Sequence, residues 1–137
     1  MILVDTNVWS ELVRPTPNRN VILWEARHAD RLWLSTVVIG EFLSGAELMP
    51  EGRRKYALQT LYEEVLGVHQ DRIAPFDPAA ARHYATVLAY QERCGRNPGT
   101  ADTQIAATAL ARGMGLATRN IRHFEGLGLT LIDPWAA

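Results

Sequence analysis

The chain has 137 residues, 47% hydrophobic and 21% charged, with a formal net charge of −1, so it suits one domain, 1–137, and is no disordered polymer. Its single cysteine, Cys94, excludes an intramolecular disulfide, suits a reducing compartment and is expected to serve only as a packing residue. No apolar run approaches the roughly 20 residues of a membrane helix and no signal-peptide layout opens the chain, so a cytoplasmic protein without membrane contact is expected.

Ile2, Leu3 and Val4 form an unbroken aliphatic run, which fits a short strand buried on both faces of a parallel sheet. Asp5 then stands at the carboxyl end of that strand, the edge where catalytic groups gather in open α/β sheets. A short helix is expected from Thr6 to Val13, broken by "RPTPNRN", whose prolines cannot sit inside a helix. A second helix runs from about Asn20 to His28. "RLWLST" is the second strand, and Ser35 or Thr36 caps the helix "VVIGEFLSGAELM". Pro50 is expected to open the next helix, with Tyr56, Leu58, Leu61, Tyr62, Val65 and Leu66 as its apolar stripe. "RIAPFD" is the third strand, followed by a helix from Pro78 to about Arg93. After "CGRNPGT" comes the helix "ADTQIAATALARGM", stopped by Gly113 and Gly115. "LAT" and "LTLID" are the last strands. The alternation predicts an α/β fold with helices on both faces of a mainly parallel sheet.

Three acids stand where folding alone would not put them. Glu41 shares a helical face with Val38, Phe42 and Gly45, and an unpaired carboxylate buried there costs several kcal/mol. Asp102 leads the stripe of Ile105, Ala106 and Ala109. Each acid has a plain alternative: Asp5 as a helix cap, Asp102 as a first-turn acid behind Thr100, Glu41 in a pair with a buried arginine. All three nevertheless map to the carboxyl edge of a parallel sheet, where converging carboxylates repel unless a cation sits among them. Oxygen ligands without histidine or cysteine point to Mg²⁺ or Mn²⁺ and so to phosphodiester chemistry.

"LATRNIRHF" brings Thr118 and Asn120 to the same edge. Asn120 can offer an uncharged carbonyl oxygen to a metal or its water shell, with a simple turn role as its alternative. Thr118 could orient a water or a phosphate. Arg119, Arg122 and His123 make a basic cluster suited to phosphates, as does "GRRKY" at Gly52 to Tyr56. The small net charge gives no global attraction for nucleic acid, so such local patches or bound cations must supply it. Of the 14 basic residues only Lys55 is lysine, a bias toward phosphate-gripping arginine that genome composition also produces.

Taken together, "VDTNVWSEL", "STVVIGEFLSGA", "TADTQIAATAL" and "LATRNIRHFEGLGLTLIDPW" resemble the PIN-domain family, and more narrowly the VapC or FitB-type toxins of bacterial type II toxin–antitoxin pairs. The resemblance runs nearly end to end. It implies a three-layer α/β/α sandwich (PIN-like) and a Mg²⁺-dependent endoribonuclease in which Mn²⁺ substitutes. It also implies a homodimer or larger complex and a small antitoxin partner that brings a DNA-binding domain. The family's acidic positions map onto Asp5, Glu41 and Asp102 as metal ligands, and its polar accessory positions onto Thr6, Asn7 and Thr118. Asn120 stands where many relatives carry a fourth acid, and His123 where relatives often have Asp; this implies one well-held cation and a weaker second. Glu11, one turn beyond Asn7, is a candidate contact for an antitoxin arginine. Hydrolysis by water implies 5′-phosphate and 3′-hydroxyl products.

Two rivals follow from the same acids. A phosphatase using Asp5 as nucleophile wants a second Asp as general acid, where Asn7 stands and cannot donate and recover a proton. A receiver-like or binding module would hold Mg²⁺ without cutting, but such modules cluster two acids after the first strand and "VDTN" has one.

Overall fold

The aliphatic run at the N-terminus becomes the central strand of a five-stranded sheet in the computed structural model, which describes residues 1–137. β1 (Ile2–Val4) is buried at every position. It lies between β2 (Leu32–Ser35) and β4 (Gly115–Ala117), with β3 (Ile73–Ala74) beyond β2 and β5 (Leu131–Ile132) beyond β4. Every pairing is parallel, Leu3 standing opposite Trp33 on one side and Leu116 on the other. Parallel neighbours need crossovers. These are supplied by α1 (Thr6–Leu12), α2 (Arg19–His28), α3 (Thr36–Glu47), α4 (Arg53–Val68), α5 (Pro78–Arg93) and α6 (Thr100–Arg112), which cover the sheet in the expected α/β arrangement.

The chain winds outward from β1 through β2 to β3, then returns to the other side of β1 to lay down β4 and β5. Strand order therefore reverses between β1 and β4. At such a reversal the two crossovers leave in opposite directions and open a crevice beyond the carboxyl ends of the strands. Asp5 follows β1 and Thr118 follows β4, so both stand at that crevice. The Asp5 amide donates to the Ala117 carbonyl at 2.9 Å, which keeps the two strand ends together.

Local chemistry sets the helix ends. Ser35 Oγ accepts from the Val38 amide at 3.0 Å and starts α3. Asp77 does the same for α5 with the Ala80 amide at 2.9 Å, ahead of Pro78 at the first turn. Gly113 ends α6 in the left-handed conformation, φ 63°, which a side chain would resist.

Pro50 does not open a helix: α4 begins at Arg53, behind Gly52 at φ 150°. Two members of its expected apolar stripe are exposed; Tyr56 turns its hydroxyl to Glu51 Oε2 at 2.7 Å, while Tyr62 is buried and stacks on Phe42 at 4.3 Å. Cys94 is exposed at the end of α5 and packs against no core. The core itself is formed by Leu3, Leu32, Leu34, Ile105, Leu116 and Phe124, all fully buried. No helix is long and apolar enough to cross a membrane.

Gly126 closes the loop that follows the short helical turn Ile121–Phe124, at φ 78°. A Cβ there would overlap the Tyr90 hydroxyl and lie 3.1 Å from Tyr90 Cζ. Strained backbone and overpacking act together, so Gly126→Ala is expected to cost about 2 to 4 kcal/mol. Urea denaturation would measure the loss, and adding Tyr90→Phe should recover part of it.

Candidate active site

Asp5 is 3% exposed and accepts three hydrogen bonds. The Thr6 amide donates to Oδ1 at 2.7 Å, so the residue does cap α1. The Thr118 hydroxyl donates to Oδ2 at 2.7 Å and the Asn7 side-chain amide reaches the same oxygen at 3.2 Å. Thr118 is itself fully buried, which corrects its expected role at water or phosphate. Its hydroxyl accepts from the Asn120 amide at 3.0 Å and donates to Asp5 Oδ2, so it orients the carboxylate from behind.

Glu41 is exposed at the residue level, contrary to the buried position expected from the helical wheel. Val38 and Phe42 point into the core, whereas Glu41 sits at the edge of that face, over the crevice. The Thr6 hydroxyl donates to its Oε1 at 2.5 Å. Asp102 comes in from the first turn of α6, and the His123 Nδ1 stands 2.9 Å from its Oδ2. A carboxylate can only accept, so that nitrogen carries the proton. His123 is thus held on Asp102 and is no free phosphate grip. Each of the three acids is aimed by a neutral or ring donor from another part of the site.

Asp5, Glu41, Asp102, Thr6, Asn7, Arg119 and Asn120 line one open cleft of about 480 Å³, joined by Ser10, Glu11, Arg14 and Trp135. Arg122 is not among the lining residues; its backbone carbonyl accepts from Arg96 instead. Glu11 is buried with both oxygens engaged, Oε1 by Arg14 at 3.1 Å and Oε2 by the Asn18 amide at 2.9 Å. It is therefore not free to receive a partner's arginine. Lys55 of "GRRKY" is also buried, bound to Glu51 at 2.6 Å, and that segment does not reach the cleft.

Ser10 was legible, one helical turn after Thr6, whereas Arg14 lies past the end of α1 and meets Glu11 from the bend that follows. Trp135 carried no periodic signal, being an aromatic in an irregular tail.

Burial pushes the Asp5 carboxyl up from 3.8 to about 6, against the lowering effect of the Thr118 hydroxyl; the charges of Asp102 and Glu41 raise it further, and the Thr6 amide lowers it. The site thus holds an under-compensated negative charge at neutral pH. No three of the chain's His, Cys, Asp and Glu side chains close into a single metal shell. The donors that line the cleft are carboxylate and amide oxygens, a set suited to a hard cation that keeps several of its waters.

The chain belongs to the PIN domain family, which matches residues 2–127. Among its relatives, the VapC ribonuclease Y4jK of Sinorhizobium fredii is 42% identical, covering 98% of each chain. Toxin FitB of Neisseria gonorrhoeae is 35% identical over 98% of this chain and 99% of its own. Among solved structures, FitAB bound to an IR36 DNA fragment superimposes with a TM-score of 0.91 at 36% identity, over 98% of this chain and 96% of that one.

Proposed function

We propose that this chain is a Mg²⁺-dependent endoribonuclease, with Mn²⁺ able to substitute, acting as the toxin of a type II toxin–antitoxin pair. The observation that carries the proposal is the convergence of Asp5, buried at the strand-order reversal, with Glu41 and Asp102 on one cleft. Capping of α1 accounts for Asp5 alone and not for the set, in which each acid adds repulsion that a cation would relieve. Its relatives named VapC ribonuclease and toxin FitB support the reaction class, and the FitAB–DNA complex supports a small DNA-binding antitoxin as partner. A homodimer is the assembly proposed for the free chain.

Asp5, Glu41 and Asp102 would hold the cation, directly or through water. When bound, it supplies positive charge to a non-bridging phosphate oxygen and an acidified water. The chain's own residues do the rest. Thr118 and Asn7 fix the Asp5 Oδ2 lone pairs, the Thr6 hydroxyl fixes Glu41, and His123 fixes Asp102. Asn120 adds an uncharged amide at the rim, one charge short of a fourth acid, so one well-held cation and a weaker second are proposed. Attack by water leaves a 5′-phosphate and a 3′-hydroxyl.

The test is purified protein with single-stranded RNA, once with Mg²⁺ and once with EDTA. Cleavage to 5′-phosphate ends only in Mg²⁺ is expected. RNA left intact by excess protein in Mg²⁺ would instead identify a binding module.

A further inference from the structure

Trp135 is the one hydrophobic side chain lining the acid cleft, and it lies past residue 127, where the family match ends. The tail that bears it is tied down. Its amide donates to Asp133 Oδ1 at 3.0 Å, its carbonyl accepts from Asn20 Nδ2 on α2 at 2.8 Å, and the preceding Pro134 is buried. The indole packs against the edge of the core but stays partly exposed, and it also lines the cleft.

Arg119 meets it there. The guanidinium carbon lies 5.0 Å from the indole centroid, and the Arg119 amide donates to Asn7 Oδ1 at 3.3 Å, in the same residue that holds Asp5. The cleft's two arginines differ in one respect. Arg14 is neutralised by Glu11 at 3.1 Å, whereas no carboxylate lies within ion-pair distance of Arg119. An exposed cation without a counter-ion thus stands over the face of an aromatic ring beside three acids.

We propose that Arg119 and Trp135 form the wall that holds single-stranded RNA in the cleft. The indole fixes the guanidinium plane, whose N–H edge takes a phosphate next to the scissile one, while an unpaired base stacks on the pair. Planar cations and indoles both stack on bases, and every base offers a π-face, so the wall selects unpaired strands over sequence. Pre-ordering the guanidinium on the ring removes part of the entropy cost of binding. This inference rests on the ribonuclease reading and adds where and how the substrate is held.

The test is anisotropy of labelled single-stranded and duplex RNA in EDTA, with KM for cleavage in Mg²⁺ measured alongside. Trp135→Ala should weaken single-stranded binding and raise KM on the order of tenfold, leave duplex binding within about twofold, and be largely rescued in Trp135→Phe. Arg119→Lys, at an exposed position and so without risk to the fold, keeps the charge but loses the plane and should weaken single-stranded binding several-fold. If the parent cleaves RNA and both variants keep its Kd and KM, the wall is wrong and the ribonuclease reading survives. Equal loss on single strands and duplexes also overturns the wall. A parent that neither binds nor cuts RNA removes both readings.

Discussion

Asp5→Asn is expected to lower RNA cleavage by on the order of a thousandfold or more, with the fold retained, because it removes the charge at the centre of the proposed cation site. Asparagine matches the shape of aspartate and can keep the Thr6 amide on its Oδ1, so the cap of α1 survives. Its amide would face the Asn7 amide and the Thr118 hydroxyl, both of which now donate to Oδ2. The threonine can turn its proton away; the asparagine has to rotate or lose that contact. Against this small cost stands the removal of a buried charge. In EDTA at neutral pH the variant should therefore melt within a few degrees of the parent, by calorimetry. A folded Asp5→Asn protein that cuts RNA at the parental rate would refute the assignment of Asp5.

Saturating Mg²⁺ should abolish the fall of stability with rising pH between about pH 4 and 6 that Asp5 causes in EDTA. Because the folded-state pKa of Asp5 is raised from 3.8 to about 6, the fold favours its protonated form. In EDTA this contribution is fully present below the unfolded value and is lost as pH rises through 6, on the order of 3 kcal/mol. A cation needs the ionised form, so its affinity should fall about tenfold per unit below pH 6 and level off above it. The Tm gain from Mg²⁺ should accordingly grow from pH 5 to 7 and then flatten, with cleavage following the same limb. In Asp5→Asn the corresponding slope in EDTA disappears. Parallel slopes with and without Mg²⁺ in the parent would show that the cation does not bind at Asp5.

The helices and strands could be read from the chain because their signals are local. Aliphatic runs, the cap at Ser35, the proline at Pro78 and the stop at Gly113 act within a few residues, and α3, α5 and α6 stand where those signals put them. Pro50 misled because a proline favours a first turn but does not compel one, and Gly52 provided the freer start two residues on. Glu41 misled for a different reason. A helical wheel separates inside from outside, yet at the carboxyl edge of a sheet the same face passes from core to open crevice within one turn.

By itself, then, the amino-acid order determined the strand–helix alternation, the three acids and the family they mark, since residue type and short spacing carry that information. The tertiary structure alone decided which donors hold those acids, that Thr118 stands behind Asp5, that Glu11 is already engaged, and that Arg119 meets Trp135. Thr118 reaches Asp5 across 113 residues and Asn20 reaches Trp135 across 115, while Thr6 and Glu41 are 35 apart and His123 and Asp102 are 21 apart. Side-chain directions at such separations are set by sheet order and packing, which no local pattern encodes.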